Sequence, residues 1–299
     1  MELDRCRILL LVIETGNLSA AAEKLNYTTS GISRAIAALE KELGFPLFLR
    51  RHDGVSPTAE CVRLLPYLRE FVFAGESCLQ FAAKIRHLDV GTITLGTAYS
   101  AYHVQLSQWI GAFRQQHPHI SFRLKNGYST ELLQQLEGQE VDICLISRRD
   151  GDFLWLPLCQ DELVAWIPGS SPLAQMDAIP LETFASHPYI DILPNADSHA
   201  DSDNARLFRR HHIRPNTQFT VTDSASAYSM VSAGLGLAMN NRINSHYLLN
   251  GDVQVRPLAP RQSIEIGIAT RQTCAPAVQT FLAFLQQHTG DLHFSGEGL

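Results

Sequence analysis

The most informative stretch of this chain is residues 17–51, which read Asn17-Leu-Ser-Ala-Ala-Ala-Glu-Lys-Leu-Asn-Tyr-Thr-Thr-Ser-Gly-Ile-Ser-Arg-Ala-Ile-Ala-Ala-Leu-Glu-Lys-Glu-Leu-Gly-Phe-Pro-Leu-Phe-Leu-Arg-Arg51. Ser19 is a preferred helix cap, and the helix that it predicts carries Ala21, Ala22 and Leu25 on its apolar face. Small alanines on that face let a second helix approach closely and cross steeply. The stretch therefore predicts two short helices joined by a tight turn.

The second helix is predicted to be amphipathic, with a polar start. Asn26-Tyr27 interrupts the first helix, and Thr28 or Thr29 supplies the next hydroxyl cap. The apolar residues then recur at helical spacing, namely Ile32, Ile36, Leu39 and Leu43. The outer face near the start of the helix carries Thr29, Ser30, Ser33 and Arg34.

Those outer residues suit contact with DNA. Hydroxyls and helix N-termini bind phosphates, and arginine pairs with guanine edges. The spacing is typical of a helix-turn-helix that presents its second helix to DNA. Alanine-rich amphipathic helices with polar outer faces also occur in other proteins, so spacing alone leaves both interpretations open.

The same stretch closely resembles the DNA-binding end of LysR-type transcriptional regulators. The agreement runs in register through Ser19-Ala-Ala-Ala, Leu25, Ser30-x-x-Ser33, Ile36, Leu39-Glu40, Leu43-Gly44, Leu47-Phe48 and Arg50-Arg51. Two positions depart from the family pattern. Thr29 stands where the family often has Gln, which leaves the base preference open, and Pro57-Thr-Ala-Glu-Cys61 replaces the usual Leu-Thr-x-Ala-Gly.

The resemblance implies a winged helix-turn-helix over residues 1–58 that binds double-stranded DNA. Its wing would be residues 50–55, where Asp53-Gly54 is a strong turn signal. A solvated hairpin without DNA contact stays the alternative for the wing. The residues implied to contact DNA are Ser19, Thr28, Thr29, Ser30, Ser33, Arg34, Arg50, Arg51 and His52.

Composition places the chain among ordinary globular proteins. Its 299 residues can form two or three domains, and it is 45% hydrophobic and 18% charged. No apolar run approaches the ~20 residues of a membrane span, and the N-terminus lacks the basic start of a secretion signal. Its six cysteines are scattered without a CxxC pair. We therefore expect a cytoplasmic protein with reduced thiols and no membrane partner.

The net charge of −6 is unevenly distributed. Residues 1–88 contain 11 Lys and Arg against 10 Asp and Glu, whereas residues 89–299 contain 13 against 20. A regulator needs only local phosphate contacts, so a nearly neutral DNA-binding end is sufficient. The balance argues against a histone-like protein that coats DNA.

Residues 59–88 are predicted to form one helix with an apolar seam. The spacing of alternately four and three residues runs through Leu64, Leu68, Phe71, Gly75, Cys78, Ala82 and Ile85. Pro66 predicts a kink or a place in the first turn. The pattern alone also fits a helix packed on its own chain. The family resemblance implies a dimerising linker helix that pairs two DNA-reading heads.

From residue 91 onward, strands and helices alternate, which indicates an open, doubly wound α/β architecture. Strands are predicted at 92–96, 120–124, 141–146, 163–167, 189–193, 218–222, 236–239, 253–257 and 264–270. Helices are predicted at 100–116, 130–136, 201–212, 224–233 and 275–288.

This part, residues 89–299, resembles the effector-binding domain of the same family. The matching segments are Gly91-Thr-Ile-Thr-Leu-Gly96, Phe113 with His117-Pro118, Leu136-Glu-Gly138, Val141-Asp142-Ile143, Asp161-Glu-Leu-Val164, Ser171-Pro-Leu173 and Val231-Ser-Ala-Gly-Leu-Gly-Leu237. The resemblance implies a two-lobed fold like that of periplasmic binding proteins. Subdomain I would cover about 89–161 and 266–290, and subdomain II about 162–265, with a small molecule bound between them.

Ligands of open α/β sheets lie beyond the carboxyl ends of strands, near helix N-termini. With the resemblance, this rule gives as candidate effector contacts Thr97, Tyr99, Ser100, Tyr128, Ser129, Thr130, Ser147, Arg148, Asn195 and Ser224. Arg148 is suited to pair with a carboxylate, so the expected effector is a small carboxylate or an aromatic acid. Each hydroxyl is also an ordinary helix cap. Asn240-Asn241 stands where relatives often have Pro, and either reshapes the far wall of the cleft or only begins a helix.

Other chemistries find little support in the sequence. No metal-ligand spacing, phosphate-binding loop or nucleophile motif is present, so we expect no cofactor, no metal and no enzymatic activity. Residues 160–273 contain no cysteine, which disfavours thiol-based sensing. The preferred hypothesis is a ligand-responsive DNA-binding homodimer or homotetramer. The alternative is a two-lobed solute-binding protein or enzyme, which would leave residues 1–58 without a role.

Overall fold

A computed structural model describes residues 1–51, 54–86, 89–193, 202–246 and 252–288 of the chain. His52 and Asn195 lie outside these residues, and the side chains of Arg50, Arg51 and Ser100 are likewise not described. The chain divides into two compact units, Met1–Val90 and Gly91–Leu299, and each is described by itself.

The first unit is helical with one small hairpin. Its elements are α1 (Leu3–Thr15), α2 (Leu18–Leu25), α3 (Thr29–Leu43), β1 (Phe48–Arg51), β2 (Gly54–Pro57) and α4 (Ala59–Ile85). One core joins all four helices, and its buried members include Leu9, Ala21, Ile32, Leu39 and Leu68. The predicted inner face of α3 is confirmed, because Ile32, Ile36 and Leu39 are buried.

Helix α2 begins earlier than the sequence predicted. Asn17, not Ser19, is the N-cap, and its side-chain oxygen accepts hydrogen bonds from the backbone N–H of Ser19 at 2.8 Å and of Ala20 at 3.3 Å. An asparagine is as good a cap as a serine, so the earlier polar residue takes this role and Ser19 becomes helical. At α3 the expected threonine cap is confirmed, with Gly31 N–H donating to Thr28 Oγ1 at 3.1 Å.

This difference gives a direct test. Asn17→Ala is expected to destabilise α2 by about 0.5–2 kcal/mol because it removes the acceptor of two first-turn amides. Ser19→Ala is the matched control and is expected to have little effect. Amide hydrogen exchange over residues 18–25 measures both. Faster exchange in Ser19→Ala than in Asn17→Ala would contradict the assignment.

The hairpin β1–β2 is held against the corner between α1 and α2. Arg51 pairs with Gly54, and the backbone N–H of Val55 donates to the carbonyl oxygen of Gly16 at 2.9 Å. A Cβ atom on Gly54 would lie only 2.4 Å from that carbonyl oxygen. Close approach of two backbones therefore requires glycine at this position.

Helix α4 has two apolar faces. One packs on the rest of its unit through the buried Cys61, Leu68 and Val72. A Cβ on Gly75 would lie 2.8 Å from the side chain of Leu3, which places that face against α1. The other is a stripe of exposed residues spaced by fours and threes, namely Tyr67, Phe71, Ala74, Cys78, Phe81 and Ile85. We call this set the α4 stripe.

The predicted seam is therefore divided between the two faces. Leu68 and Gly75 face the chain's own core, whereas Phe71, Cys78 and Ile85 are exposed. The sequence could not separate them because both faces are apolar and run in parallel along one long helix. Pro66 lies inside α4, at its eighth residue, and not in the first turn.

The second unit is α/β. Its first half contains β3 (Gly91–Thr97), a 3-10 turn (Ser100–Tyr102), α5 (His103–Gln116), β4 (Ile120–Asn126), α6 (Ser129–Glu137), β5 (Ile143–Ser147) and β6 (Leu154–Pro168). Its second half contains a 3-10 turn (Pro172–Gln175), β7 (Ile179–Pro180), α7 (Thr183–Ser186), β8 (Tyr189–Ile192), α8 (Asp203–Arg210), β9 (Thr217–Val221), α9 (Ser224–Ser232), β10 (Ala238–Asn241), α10 (Arg242–His246), β11 (Val253–Thr270) and α11 (Pro276–His288).

Two long antiparallel strands connect the lobes of this unit. The main sheet runs in the order β10-β6-β11-β5-β3-β4, so β6 and β11 lie between the parallel strands of one lobe and β10 of the other. Strands β8 and β9 form a separate parallel pair. Lobe I contains β3, β4 and β5, and lobe II contains β8, β9 and β10.

The long strands are where the predicted boundaries were wrong. Strand β11 runs through residues 253–270 without a break, where two strands were expected. A register shift between Pro257 and Gln262 accommodates Pro257 and Pro260 within the strand. Strand β6 runs through Leu154–Pro168, where only 163–167 was expected. The other predicted strands and helices are present, most of them displaced by one or two residues.

Candidate functional site

The start of α3 forms an exposed polar surface. Thr28, Thr29, Ser30 and Arg34 are exposed there, and Ser33 is half-buried. Arg34 Nε donates to the carbonyl oxygen of Ser30 at 3.4 Å, and Thr29 Oγ1 donates to Ser19 Oγ of α2 at 3.5 Å. This surface, with Ser19, brings together six of the nine predicted DNA contacts.

The remaining three predicted contacts are Arg50, Arg51 and His52. Arg50 and Arg51 are on β1, in register with Val55 and Gly54 of β2. Their side chains and all of His52 lie outside the described residues.

In the second unit, a polar cleft of about 260 Å³ lies between the lobes. Lobe I contributes Thr97, Ala98, Tyr99, Asn126, Gly127, Tyr128, Ser129 and Arg149, and lobe II contributes Ile192, Ser202, Asp203, Asn204, Thr222, Asp223, Ser224, Met239, Asn240, Asn241 and Asn244. The lining is rich in hydroxyl and amide groups, which suits a small hydrogen-bonding ligand.

Buried hydroxyls lie on the lobe I side of the cleft: Thr97 and Ser129 line it, and Ser147 lies against Ser129. Thr97 closes the end of β3, where its Oγ1 accepts from the Tyr99 backbone N–H at 3.2 Å. Ser129 begins α6, and its Oγ lies 3.1 Å from Ser147 Oγ at the end of β5. All three hydroxyl residues are at most 3% exposed, so the carboxyl ends of two neighbouring strands converge on one desolvated polar spot.

An ion pair crosses from this spot to lobe II. Arg149 Nη2 lies 3.0 Å from Asp203 Oδ1, and the two side chains are 6% and 15% exposed. Ser147 Oγ donates to the same carboxylate oxygen at 2.8 Å, and Tyr99 Oη donates to the other, Oδ2, at 2.5 Å. Burial, followed by the adjacent Asp203 charge, raises the pKa of Tyr99 well above its usual value, so this phenol stays a donor.

The lobe II side is lined by amides. Asn240 donates to Ser224 Oγ at 2.9 Å and accepts from Asn244 at 2.7 Å. Asn241 donates to the buried Asp161 at 3.1 Å, and burial raises the pKa of that carboxyl group. Asn240 and Asn241 end β10 and line the cleft, and α10 begins at the next residue.

A second carboxylate, Asp223, lies at the start of α9. It accepts from the backbone N–H and the hydroxyl of Ser226, both at 2.8 Å, and these bonds lower its pKa. Asp223 is thus ionised and satisfied within its own turn. The described lining residues of the cleft therefore include one arginine, Arg149, and two aspartates, Asp203 and Asp223.

Five of the ten predicted effector contacts line this cleft: Thr97, Tyr99, Tyr128, Ser129 and Ser224. Thr130 is in α6 and Ser147 is bonded to Asp203, but neither lines the cleft, and only the backbone of Ser100 is described. Arg148 is exposed and stacks over Phe153 and Trp155, with Cζ 5.5 and 4.9 Å from the ring centroids. Of two adjacent arginines, the structure thus directs Arg149 into the cleft.

Sequence reasoning missed Arg149, Asp203 and the amides of Asn126, Asn204 and Asn244. Successive side chains along an extended chain point to opposite faces, so only one of Arg148 and Arg149 can point into the cleft. The sequence does not say which of the two it is. Asp203 follows a serine cap at the start of a predicted helix, which is the ordinary pattern of a helix N-terminus. Within the described residues, no group of three His, Cys, Asp or Glu could hold a metal ion, and no helix could span a membrane.

A helix-turn-helix with a hairpin wing, followed along the chain by a two-lobed α/β unit with a polar cleft, defines a ligand-binding transcriptional regulator. The family comparisons agree: residues 3–62 match the bacterial regulatory helix-turn-helix protein, lysR family, and residues 86–290 match the LysR substrate binding domain. The chain belongs to the LysR family of transcriptional regulators.

Individual relatives are distant but similar in length. The chain is 29% identical over 245 residues to the HTH-type regulator YybE of Bacillus subtilis, covering 80% of this chain and 82% of that one. It is 24% identical over 258 residues to the malonate utilization transcriptional regulator of Klebsiella pneumoniae, covering 84% and 82%.

Solved structures share the fold. A full-length variant of OxyR from Pseudomonas aeruginosa superimposes with a TM-score of 0.70 at 19% identity, covering 97% of this chain and 94% of that one. Full-length CbnR in complex with its target DNA gives 0.62 at 20% identity, covering 96% and 99%. The effector binding domain of QuiR in complex with shikimate gives 0.58 at 24% identity, covering 68% and 99%.

Proposed function

We propose that this LysR-type regulator binds a two-fold DNA site as a homodimer, or as a tetramer of two such dimers. Binding of a small acid in the cleft changes how the protein binds that site. In this proposal residues 1–58 contact DNA and residues 59–88 dimerise. Residues 89–161 with 266–290 and residues 162–265 are the lobes around the effector. The protein acts in the cytoplasm without catalysing a reaction.

The exposed start of α3 is the observation that carries the DNA-binding role. A capped helix N-terminus with exposed hydroxyls and Arg34 is what phosphate and base edges require. Binding of DNA by CbnR, a protein of the same fold, supports this assignment. The hairpin residues Arg50, Arg51 and His52 are proposed to contact the flanking backbone.

The effector is proposed to be a small carboxylate or an aromatic acid. Arg149 takes the role that the sequence gave to Arg148, because it is the arginine that lines the cleft. The hydroxyls of Thr97, Tyr128, Ser129 and Ser224 are proposed to bind its other polar groups. The effector binding domain of QuiR, which shares the fold of this unit, is known in complex with shikimate, and this supports a small acid as effector.

The α4 stripe is proposed as the dimer contact. Ile85 is 68% exposed, Phe81 59% and Tyr67 73%, so an apolar row on one helix face is left uncovered by the described residues of its own unit. Two copies of this row, spaced by fours and threes, can pack together as in a two-stranded coiled coil.

Disrupting the stripe tests the dimer. Ile85→Glu is expected to shift the protein from dimer to monomer, because two glutamates would be buried at the symmetric contact. Val62→Glu is the control, since Val62 is 52% exposed on α4 but outside the stripe. Sedimentation velocity measures the oligomeric state of both variants. An unchanged dimer in Ile85→Glu would contradict the α4 stripe as the dimer contact.

The proposed function as a whole is tested by an electrophoretic shift with DNA from upstream of the gene for this chain, with small acids as added ligands. Specific binding at moderate salt that a subset of acids alters is the expected result. A two-lobed binding protein or enzyme would show no specific shift.

A further inference from the structure

The Asp203 carboxylate is held in the way that a bound ligand carboxylate is held. Both of its oxygens accept hydrogen bonds, Oδ2 from Tyr99 and Oδ1 from Ser147 and Arg149, at 2.5 to 3.0 Å. These donors are all on lobe I, whereas Asp203 is on lobe II. Charge-assisted bonds from arginine with added hydroxyl donors are the usual way in which proteins bind a carboxylate.

Asp203 itself is firmly fixed in lobe II. It is the first residue of α8, whose Leu207 and Phe208 are buried in the lobe II core. The next residue, Asn204, donates to the carbonyl oxygen of Met239 on β10 at 2.8 Å. The aspartate is therefore a carboxylate carried by one lobe and bound by the other.

The charges in the cleft then pose a problem for an acidic ligand. Arg149 is already paired, and Asp203 and Asp223 would both repel a further carboxylate. An acid can take the donors that hold Asp203 only if Asp203 leaves them. Behind the pair lies a second cavity that also touches Arg149 and Asp203 and carries Arg148, Arg206 and Arg210. Glu265 also lines this cavity, so its described lining holds four arginines against two carboxylates, and this balance favours an anion on that side.

We propose that Tyr99, Ser147 and Arg149 form a carboxylate-binding site that Asp203 occupies as a tethered internal ligand, and that an acidic effector acts by displacing it. The inference rests on the proposed function, since it describes how the proposed effector comes to bind Arg149. Displacement exchanges one carboxylate for another at the same donors. It also removes the ion pair between the lobes, so binding is coupled to the lobe contact.

Acetate is the probe, because it carries the carboxylate and little else. In full-length Asp203→Ala, the donors remain and the internal carboxylate is gone. Sodium acetate, compared with equal sodium chloride, is expected to raise the thermal midpoint of this variant saturably. Its dissociation constant is expected to be at least tenfold lower than in the wild type. If Asp203→Ala does not fold, Asp203→Ser leaves the same room and keeps a helix-starting residue.

Three controls make the result specific. Asp203→Asn keeps the volume and fills the site with an amide, so acetate is expected to have no effect. Asp223→Ala removes the other cleft aspartate, which is bonded within its own turn, and is expected to gain no acetate site. Asp203→Ala with Arg149→Met is expected to lose the acetate response.

Equal acetate responses in the wild type and a folded Asp203→Ala, or none in either, would overturn the internal-ligand proposal. This outcome is separate from the DNA-binding test. Specific DNA binding by a protein whose Asp203→Ala ignores acetate overturns the internal ligand alone. An acetate response in a protein that binds no specific DNA overturns the proposed function alone.

Discussion

Arg34→Ala is expected to weaken specific DNA binding strongly while leaving the protein folded. Arg34 is exposed at the start of α3, where it is placed to pair with a base edge or a phosphate. Loss of such a contact costs about 1–3 kcal/mol per head, and a dimer loses two. We therefore expect a loss of about 2–6 kcal/mol of binding free energy in total, which raises the dissociation constant roughly 30-fold to 20,000-fold. Fluorescence anisotropy with a labelled operator measures it.

Arg63→Ala is the matched control for charge. Arg63 is exposed on α4, away from the α3 surface, and its removal is expected to change affinity no more than a few-fold. Circular dichroism of both variants checks folding. If Arg34→Ala and Arg63→Ala lose equal affinity, then α3 is not the reading helix.

Arg149→Met is expected to destabilise the second unit strongly. It leaves the Asp203 carboxylate, only 15% exposed, without its cation, and breaking a buried pair costs about 3–5 kcal/mol. All three tryptophans of the chain, Trp109, Trp155 and Trp166, lie in this unit. Their fluorescence during urea unfolding of the full chain therefore reports on this unit directly.

The double variant Arg149→Met with Asp203→Asn separates the pair from simple packing. Once the carboxylate is neutral, loss of the arginine no longer leaves a buried charge, so the double variant is expected to be more stable than Arg149→Met alone. If the double variant loses as much free energy of unfolding as the two single variants together, the pair contributes no coupling across the cleft.

The first unit was the part most open to prediction, because its elements are local. The apolar spacing of Ile32, Ile36 and Leu39 and the cap at Thr28 each depend on residues within one or two turns. The cap of α2 was misplaced, because Asn17 and Ser19 are equally good caps and only the geometry distinguishes them. The two faces of α4 were merged for a similar reason, since both are apolar.

The cleft was only partly predictable, because its key contacts are long-range. Tyr99, Ser147 and Arg149 meet Asp203 across 54 to 104 residues of sequence. Periodicity can place Ser147 and Arg149 after a strand, but it cannot say which side chain turns inward or what meets it. Asp203 looked like a helix N-terminal residue and is also one, so its second role had no local signal.

Selection from a pool of random DNA duplexes asks directly whether the α3 surface of a dimer reads a specific DNA sequence. The full-length protein is expected to enrich one motif with two-fold symmetry, whose half-sites lie one helical turn or a multiple apart. Arg34→Ala is expected to enrich none. A pool without an enriched motif, or the same motif from Arg34→Ala, would contradict sequence reading by α3.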